Sequence, residues 1–372
     1  MRRAPRSLDR QNSRTPEILR FFGQVLACVV IAFCWAGSAA PGLPPYYEAR
    51  AAVSHSGQVP RDWAKNPAIV ELNTDEDVFA LGDVHGDYDR LVKLLTAVQI
   101  IPQAPDRPRD VKWNAGKAIL VCTGDLIDKG DHSLKVIKLF RALSAAAVKE
   151  GGRVIVTMGN HEAAFLTDPA NEKSRKFTAE LEAAGIDPKS VAAGRDAHGI
   201  GELLLSLPLA AKVNDWFFAH AGFTRGRTLK QLRSELQEGI DGHGYDAAMV
   251  PPLDALLEAR LHPMPWWEKE SENAAASRGR LAAYVKALGV NHLVVGHQPG
   301  KVRFSDQTVR KKGEVYQKFD GLIFLIDVGM SRGIDDTGNG YSHGVLLRIR
   351  SGRNARVTAL FPNAPSRQLW PE

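Results

Sequence analysis

The chain has 372 residues, of which 44% are hydrophobic, enough to form a sizeable core in one large domain or two small ones. Its formal net charge of +6 is concentrated at the N-terminus, because the first 40 residues hold six arginines against one Asp and one Glu, a charge of +4. The remaining +2 does not indicate nucleic-acid binding, and the single cysteine beyond residue 40, Cys122, excludes an intramolecular disulfide in the folded part.

The first 40 residues have the layout of a secretory signal. An Arg-rich stretch precedes the apolar segment VLACVVIAFCWA, which is followed by small residues and by prolines at 41, 44 and 45. We expect a cleaved signal peptide or, since about 20 apolar residues can span a bilayer, an uncleaved membrane anchor. In both cases the folded part is exported, to the periplasm or outside the cell. An organelle-targeting segment is a third alternative.

Composition divides the rest of the chain into a linker, one large domain and a tail. Residues 41–75 are rich in proline, alanine and polar residues, which predicts a linker that becomes an N-terminal extension. The domain is predicted at 76–361, with a helical insertion at about 168–200 and an irregular cap region at about 239–280. A C-terminal tail is predicted at 362–372.

Three strand–helix units open the domain. The apolar runs at 78–81, 117–122 and 153–158 predict strands, and helical periodicity predicts helices at 87–98 and 133–149. Units of this kind predict an α/β fold with mainly parallel strand pairs covered by helices. Further strands are predicted at 216–219 and in HLVV before His297, with a helix at 228–238 between them. Three late strands, in GLIFLIDVG, GVLLRIR and ARVTALFP, are interpreted as a second sheet packed on the first.

Five of these strands end in residues that commonly bind metals, each within two residues of a glycine. These residues are Asp83 and His85, Asp125, Asn160, His220 and His297. Taken singly, each has an ordinary alternative as a helix cap, a turn residue or a hydrogen-bonded histidine. Their recurrence at strand ends, where α/β folds place their sites, favours one shared site.

The residue types indicate which ions such a site would hold. Carboxylates, an amide and imidazoles without a thiolate suit manganese, iron or zinc. Six ligands are too many for one catalytic ion with open positions, so we expect two ions with one carboxylate as a bridge. Two ions roughly 3.5–4 Å apart can clamp a phosphoryl group and generate hydroxide at neutral pH.

The segments GDVHG, GDLIDKG, GNHE, AHAG and GHQP occur in an order that resembles the signature of the calcineurin-type metal-dependent phosphoesterases. They are most similar to the phosphoprotein phosphatase family and, within it, to the bacterial-type Shewanella-like phosphatases. The resemblance extends over about residues 76–350. It implies a four-layer αββα sandwich with mixed sheets and a helical insertion.

The resemblance also implies a role for each residue. Asp83 and His85 would bind the first ion, Asp125 would bridge, and Asn160, His220 and His297 would complete the second site. His161 would protonate the leaving oxygen and Asp128 would pair with it, while a metal-activated hydroxide attacks without a covalent phosphoenzyme. A carboxylate-paired imidazole stays cationic near neutral pH, which suits a general acid.

The substrate-binding residues depart from the family pattern. Lys129 stands where the family has an arginine that grips phosphate oxygens, and it lacks the bidentate guanidinium. Further along, Glu268 or Lys269 stands where a second arginine is common. Arg225 is a candidate substitute, and Lys129 and Asn160 are the other candidate substrate-binding residues.

Three functions remain open at this point. The first is a phosphatase of phosphomonoesters, acting on phosphorylated Ser, Thr or Tyr in proteins. The second is a nucleotide or dinucleoside polyphosphate hydrolase. The third is a phosphate-recognising protein with little turnover, against which the His161–Asp128 pair argues, since binding alone needs no general acid.

Overall fold

The computed structural model describes residues 57–335, 337–352 and 355–371. The predicted signal or anchor and residues 41–56 of the predicted linker lie outside these residues. Among the helices of the described ranges, no apolar one is long enough to cross a bilayer.

One mixed sheet, sheet I, is built around three parallel strands. They are β2 (Val78–Leu81), β3 (Ile119–Cys122) and β4 (Arg153–Val156), and three antiparallel strands continue the sheet: β12 (Leu346–Arg350), β13 (Arg356–Leu360) and β14 (Arg367–Trp370). The order is β14-β13-β12-β2-β3-β4. Leu81 lies opposite Cys122 on one side and Leu346 on the other.

A second mixed sheet, sheet II, repeats the plan with another three parallel strands at its centre. Its strands are β1 (Ile69–Leu72), β5 (Ala210–Val213), β6 (Trp216–Ala219), β7 (His292–Val295), β10 (Tyr316–Lys318) and β11 (Ile323–Leu325). The order is β1-β5-β6-β7-β11-β10, with β6, β7 and β11 parallel. A small hairpin, β8 (Val302–Arg303) and β9 (Val309–Arg310), follows β7.

Strand assignments correct the prediction at three places. The three late strands do not form one sheet: β11 joins sheet II, whereas β12 and β13 extend sheet I. The segment predicted as a tail contains β14, and the segment predicted as a linker contains β1, which pairs with β5. The reason is general, because an apolar period identifies a strand but not its partner.

Helices cover the outer faces of both sheets. They are α1 (Tyr88–Ala97), α2 (Ser133–Lys149), α3 (Asn160–Thr167), α4 (Arg175–Ala183), α5 (Pro188–Ala192), α6 (Ile200–Ser206), α7 (Leu229–His243), α8 (Pro251–Glu258) and α9 (Ala274–Ala287). Short 3₁₀ turns occur at Pro108–Asp110, Glu172–Ser174 and Arg332–Ile334. The prediction that 239–280 is irregular is therefore wrong: α8 begins with Pro251 and Pro252, and proline in a first turn starts a helix rather than breaking it.

The core consists of two apolar layers that follow the period of the strands. On β2, Val78 and Ala80 face the layer between the sheets, which also contains Phe218 and Val294 of sheet II. Phe79 and Leu81 face the layer beneath the helices. The predicted four-layer sandwich is confirmed, and its parallel strands place their carboxyl ends at one edge.

Candidate metal centre and substrate cavity

Six predicted ligand residues meet at the carboxyl ends of the parallel strands. Asp83 and His85 follow β2, Asp125 follows β3, Asn160 begins α3 after β4, His220 follows β6 and His297 follows β7. Each is at most 5% exposed. Sheet I therefore supplies the two carboxylates, the amide and the imidazole of His85, whereas sheet II supplies the other two imidazoles.

Asp125 lies at the centre of the cluster. Its Oδ2 is 3.3 Å from His85 Nε2 and 3.4 Å from His220 Nε2. Ligand-type atoms of His85, Asp125 and His161 lie within 4.8 Å of one another, and so do those of Asp125, His220 and His297. One carboxylate shared by two groups is the arrangement expected of a bridging ligand.

Asn160 and Asp83 adjoin these two groups. Asn160 Oδ1 is 3.1 Å from His220 Nε2, and His297 Nδ1 is 2.9 Å from the same nitrogen. Asp83 Oδ2 is 4.0 Å from His85 Nε2, and both Asp83 oxygens accept the backbone N–H of His297 at 3.0–3.1 Å. Gly296 permits this approach, because a Cβ there would lie 2.2 Å from Asp83 Oδ1.

Backbone carbonyls orient two of the imidazoles. His220 Nδ1–H donates to the carbonyl of Thr123 at 2.9 Å and His85 Nδ1–H to that of Ile127 at 3.3 Å, which leaves each Nε2 lone pair facing Asp125. Asp125 Oδ1 accepts the backbone N–H of His161 at 3.0 Å. Its Oδ2, Asn160 Oδ1 and the histidine Nε2 atoms converge in a buried space where, apart from the imidazoles themselves, the described residues offer no N–H or O–H donor to match them. Such a donor-poor cluster fits bound cations, which would satisfy all of these atoms at once.

Protonation states agree with a metal-binding role. Burial lowers the pKa of His85 to about 4 and holds that of His297 well below its usual value. Burial works against ionisation of Asp125, but the imidazoles of His220, His161 and His85 outweigh it and hold its pKa far below the ordinary range. Neutral imidazoles and an ionised carboxylate are the forms that bind metal ions.

Three ligand-type residues have a strained backbone. His85, Asp125 and His297 have φ of 44°, 51° and 67°, in the left-handed region that residues other than glycine rarely adopt. Strain of this kind persists where the surrounding structure enforces it and is concentrated at functional sites. It aims side chains from separate strand ends at one point.

His161 lies beside the cluster as the predicted general acid. Its Nδ1–H donates to the carbonyl oxygen of Lys173 at 2.7 Å, while Asp128 Oδ2 is 3.5 Å away. Burial opposes its charged form, but Asp125 and Asp128 raise the pKa of His161 above its usual value. The structure brings the predicted pair together and adds the Lys173 carbonyl, which no sequence pattern signals because every residue has one.

Glu162 is a structural member of the site that the sequence prediction missed. This fully buried carboxylate accepts backbone N–H groups of Gly159, Asp125, Leu126 and Ile127 at 2.8–3.2 Å. It therefore ties the loop after β3 to the start of α3. The sequence feature that could have indicated this role is its position in the segment GNHE, directly after Asn160 and His161.

An open cavity of about 840 Å³ adjoins Asp128, and we call it the substrate cavity. Its lining carries charges of both signs: Asp87, Asp89, Asp128, Asp131, Glu172 and Asp335 against Lys129, Lys173, Arg175, Lys176 and Arg332. Arg332 donates to Asp87 at 2.8–2.9 Å and to Asp89 at 3.0 Å. The predicted phosphate-binding Lys129 thus faces the cavity, and Arg332 is a guanidinium that the prediction did not name.

Two other charged residues, which were predicted near the phosphate, lie elsewhere. Arg225 does not line the substrate cavity; its Nη2 is 3.5 Å from Asp254 Oδ2, and its guanidinium lies over the ring of Phe223. Glu268 is buried and accepts the backbone N–H of Ser305 at 2.9 Å, so it is held inside the fold.

The residues around α8 contact the cluster instead. Glu258 accepts a hydrogen bond from Asn160 Nδ2 at 3.1 Å and forms an ion pair with Lys173. The charge of Arg260, after burial and His220, contributes to the lowered pKa of His297. Both residues lie in the part of the chain predicted as irregular, where no periodic signal drew attention to them.

Comparison with known proteins adds three findings. A family model described as calcineurin-like phosphoesterase matches residues 77–301. Shewanella-like protein phosphatase 2 of Arabidopsis thaliana is 26% identical over 356 residues, covering 82% of this chain and 83% of that one. A symmetrical bis(5'-nucleosyl)-tetraphosphatase of Escherichia coli O1:K1 is 33% identical over 176 residues, 45% of this chain and 51% of that one.

Among solved structures, the cold-active protein-tyrosine phosphatase of a psychrophilic Shewanella species superposes with a TM-score of 0.59. The alignment covers 85% of this chain and 88% of that one at 23% identity. At this identity the likeness shows a shared fold.

Proposed function

The chain belongs to the calcineurin-like phosphoesterases, and we propose that it is a metal-dependent phosphoprotein phosphatase. As a member of this family it is a hydrolase of phosphoric ester bonds. The proposal depends on one observation above all: Asp125 is shared by two groups of ligand-type side chains, with His161 in one of them. A site for two ions beside a general acid is what hydrolysis of a phosphomonoester requires.

The side chains at the strand ends are proposed to hold two metal ions. We assign Asp83 and His85 to the first ion, Asn160, His220 and His297 to the second, and Asp125 to both. Bound ions at such a site supply a nucleophile at neutral pH and withdraw negative charge from the phosphoryl oxygens. The oxygen and nitrogen donors, without a thiolate, favour manganese, with iron or zinc as alternatives.

The protein's own groups handle the leaving oxygen. His161 is proposed to donate its proton to that oxygen as the ester bond breaks. Asp128 supports the charged imidazole, and the Lys173 carbonyl fixes its Nδ1–H, so that Nε2–H is left to face the substrate. Lys129 and Asn160 are proposed to bind the phosphate oxygens.

The substrate is proposed to be a phosphorylated polypeptide. An open cavity of about 840 Å³ with charges of both signs can accept an extended segment with polar side chains. The similarity to a Shewanella-like protein phosphatase covers 82% of the chain, whereas that to the tetraphosphatase covers 45%. A dinucleoside polyphosphate is therefore the second candidate.

An assay across a metal panel tests these proposals. The full chain would be freed of metal, supplied with manganese, iron, zinc or magnesium, and given phosphoserine, phosphothreonine and phosphotyrosine peptides or diadenosine tetraphosphate. We expect turnover of phosphopeptides with manganese and higher kcat/KM than for the dinucleotide. The reverse preference would establish the second candidate, and no turnover with any metal would refute the enzyme assignment at this site.

We also propose that the protein acts outside the cytoplasm. The support is the basic and apolar layout of the first 40 residues. Cell fractionation with N-terminal sequencing tests it. An exported chain that begins near residue 41 indicates a cleaved signal, an intact chain in the membrane fraction indicates an anchor, and an intact soluble chain in the cytoplasm contradicts both.

A further inference from the structure

Asp327 is a buried carboxylate at the metal centre to which the family signature assigns no role. It follows β11, the third parallel strand of sheet II, and is 1% exposed. Its place repeats that of His220 after β6 and His297 after β7. Each of the three central parallel strands of sheet II, β6, β7 and β11, is therefore followed by a residue of a metal-binding type.

The side chain of Asp327 is only half satisfied. Its Oδ1 accepts the backbone N–H of Gly329 at 2.9 Å, whereas its Oδ2 is buried and has no hydrogen-bond partner among the described residues. Asp83 is its neighbour across the sheets, since a Cβ on the preceding residue, Gly82, would lie 3.1 Å from Asp327 Cα. Two carboxylates are both acceptors when ionised, so neither can satisfy the other without a cation or a proton.

Close packing of the backbone keeps the two carboxylates together. Gly82, which precedes Asp83, lies so near the loop after β11 that a Cβ would be 2.6 Å from the carbonyl of Ile326 and 3.1 Å from the Cα of Asp327. A side chain at this position would push the two sheets apart. The close approach of Asp83 and Asp327 therefore follows from the packing of sheet I against sheet II.

A buried cation beside Asp327, Arg310, bonds its backbone carbonyl and not its carboxylate. Arg310 is fully buried, and its guanidinium donates to four backbone carbonyls, those of Gln298, Gly300, Glu314 and Asp327 itself. It ties the loop after His297 to the loop after β11. The carboxylate of Asp327 is left to face Asp83.

We propose that Asp327 is a positioning residue of the metal centre, which orients Asp83 and adds a negative charge beside those of Asp83 and Asp125 that favours ion binding. It acts through Asp83 and not as a ligand: Asp83 lies within 4.0 Å of His85 and His220, whereas among the described residues Asp327 has no such contact with a histidine. The inference rests on the proposed two-ion site. Groups behind metal ligands typically change metal affinity or activity by about 10–100-fold.

Asp327→Asn separates this role from a purely structural one. The variant keeps the shape and an acceptor for Gly329 but removes the charge facing Asp83. We expect Mn²⁺ affinity, measured by calorimetry on the full chain, to fall about tenfold or more. The melting temperature of the metal-free protein should be equal or higher, because repulsion between like carboxylates is relieved. A structural role alone predicts a lower melting temperature and unchanged affinity.

Two further variants complete the design. Glu268→Gln is the matched control, since Glu268 is also buried with one unpartnered oxygen but bonds Ser305 elsewhere; its Mn²⁺ affinity should equal that of the wild type. Asp327→Ser retains an oxygen for Gly329 without charge and replaces Asp327→Asn if that variant does not fold.

Different results would contradict the role of Asp327 and the proposed two-ion site. Unchanged Mn²⁺ affinity in the Asp327 variants overturns the inference, and so does weaker affinity accompanied by a less stable metal-free protein. Failure of the wild-type chain to bind Mn²⁺ would instead refute the two-ion site. Weaker affinity with undiminished metal-free stability supports the positioning role.

Discussion

The metal centre and the substrate cavity are adjacent, but they are built in different ways. The centre consists of side chains at most 5% exposed, placed by strand ends of both sheets, with acceptors converging and few donors to satisfy them. The cavity is lined by loops and by the helical insertion, and its charges pair with one another, as Arg332 does with Asp87 and Asp89. Lys173 belongs to both, because it is among the residues that line the cavity and its carbonyl accepts a hydrogen bond from His161.

The difference indicates which kinetic parameter each region controls. The buried ligand atoms of the metal centre are stabilised mainly by the ions that they bind. Substitutions of these residues should therefore change metal affinity and the rate of the chemical step. Exposed ion pairs contribute little each, about 0–1 kcal/mol, so changes there affect substrate affinity modestly. We therefore expect effects on kcat at the centre and on KM at the cavity.

Asp125→Asn should have the largest effect. The amide keeps the size of the side chain but removes the charge shared by both ligand groups. Because stabilisation by metal ions is worth several kcal/mol and each 1.36 kcal/mol is tenfold in rate, we expect kcat to fall roughly 10³-fold for every substrate. Steady-state kinetics with measured metal content checks this. A rate near that of the wild type would remove Asp125 from the bridging position.

His161→Ala should be nearly as damaging, but selectively. A general acid typically contributes about 10²–10⁴-fold, and it matters most when the leaving oxygen is a poor leaving group. We expect kcat to fall roughly 10²-fold for an alkyl phosphate and far less for 4-nitrophenyl phosphate, with Mn²⁺ affinity retained. Equal losses for the two substrates would show that His161 does not protonate the leaving group.

Asp128→Asn should change the pH profile more than the maximum rate. The ionised Asp128 helps raise the pKa of His161, and the acid form of His161 is present below that pKa and lost as pH rises through it. Removal of the charge lowers the pKa, so the alkaline limb of kcat should move to lower pH, with roughly tenfold loss on the alkaline side. An unmoved alkaline limb would mean that Asp128 has no influence on the acid.

Lys129 variants should have the smallest effect. They test whether residues of the substrate cavity control KM, in contrast to those of the metal centre. Lys129→Arg restores a bidentate donor at the cavity, and we expect KM for a phosphopeptide to fall by about two- to tenfold at nearly constant kcat. Lys129→Ala should raise KM by a similar factor, while Lys138→Ala, an exposed lysine on α2, should do neither. If KM is the same in all three variants, Lys129 does not contact the phosphate.

Much of the site follows from the sequence, because strand ends with Gly-flanked ligand types are a local pattern. The residues after β2, β3, β4, β6 and β7 were all named from it, and they lie together in the structure. The resemblance to calcineurin-type phosphoesterases rests on the same segments and is confirmed by the family match over 77–301. The strand ends follow from local residue patterns, and the family follows from the resemblance of these segments to a known signature.

Only the tertiary structure showed which groups contact and orient the proposed metal ligands and the general acid. Asp327 follows a strand whose neighbours in the sheet were not predicted, and Glu258 lies on a helix that was not predicted. The Lys173 carbonyl has no residue identity to detect. Apolar periodicity specifies which face of an element is buried, but not which element it meets, and a polar group's role depends on what lies across that contact.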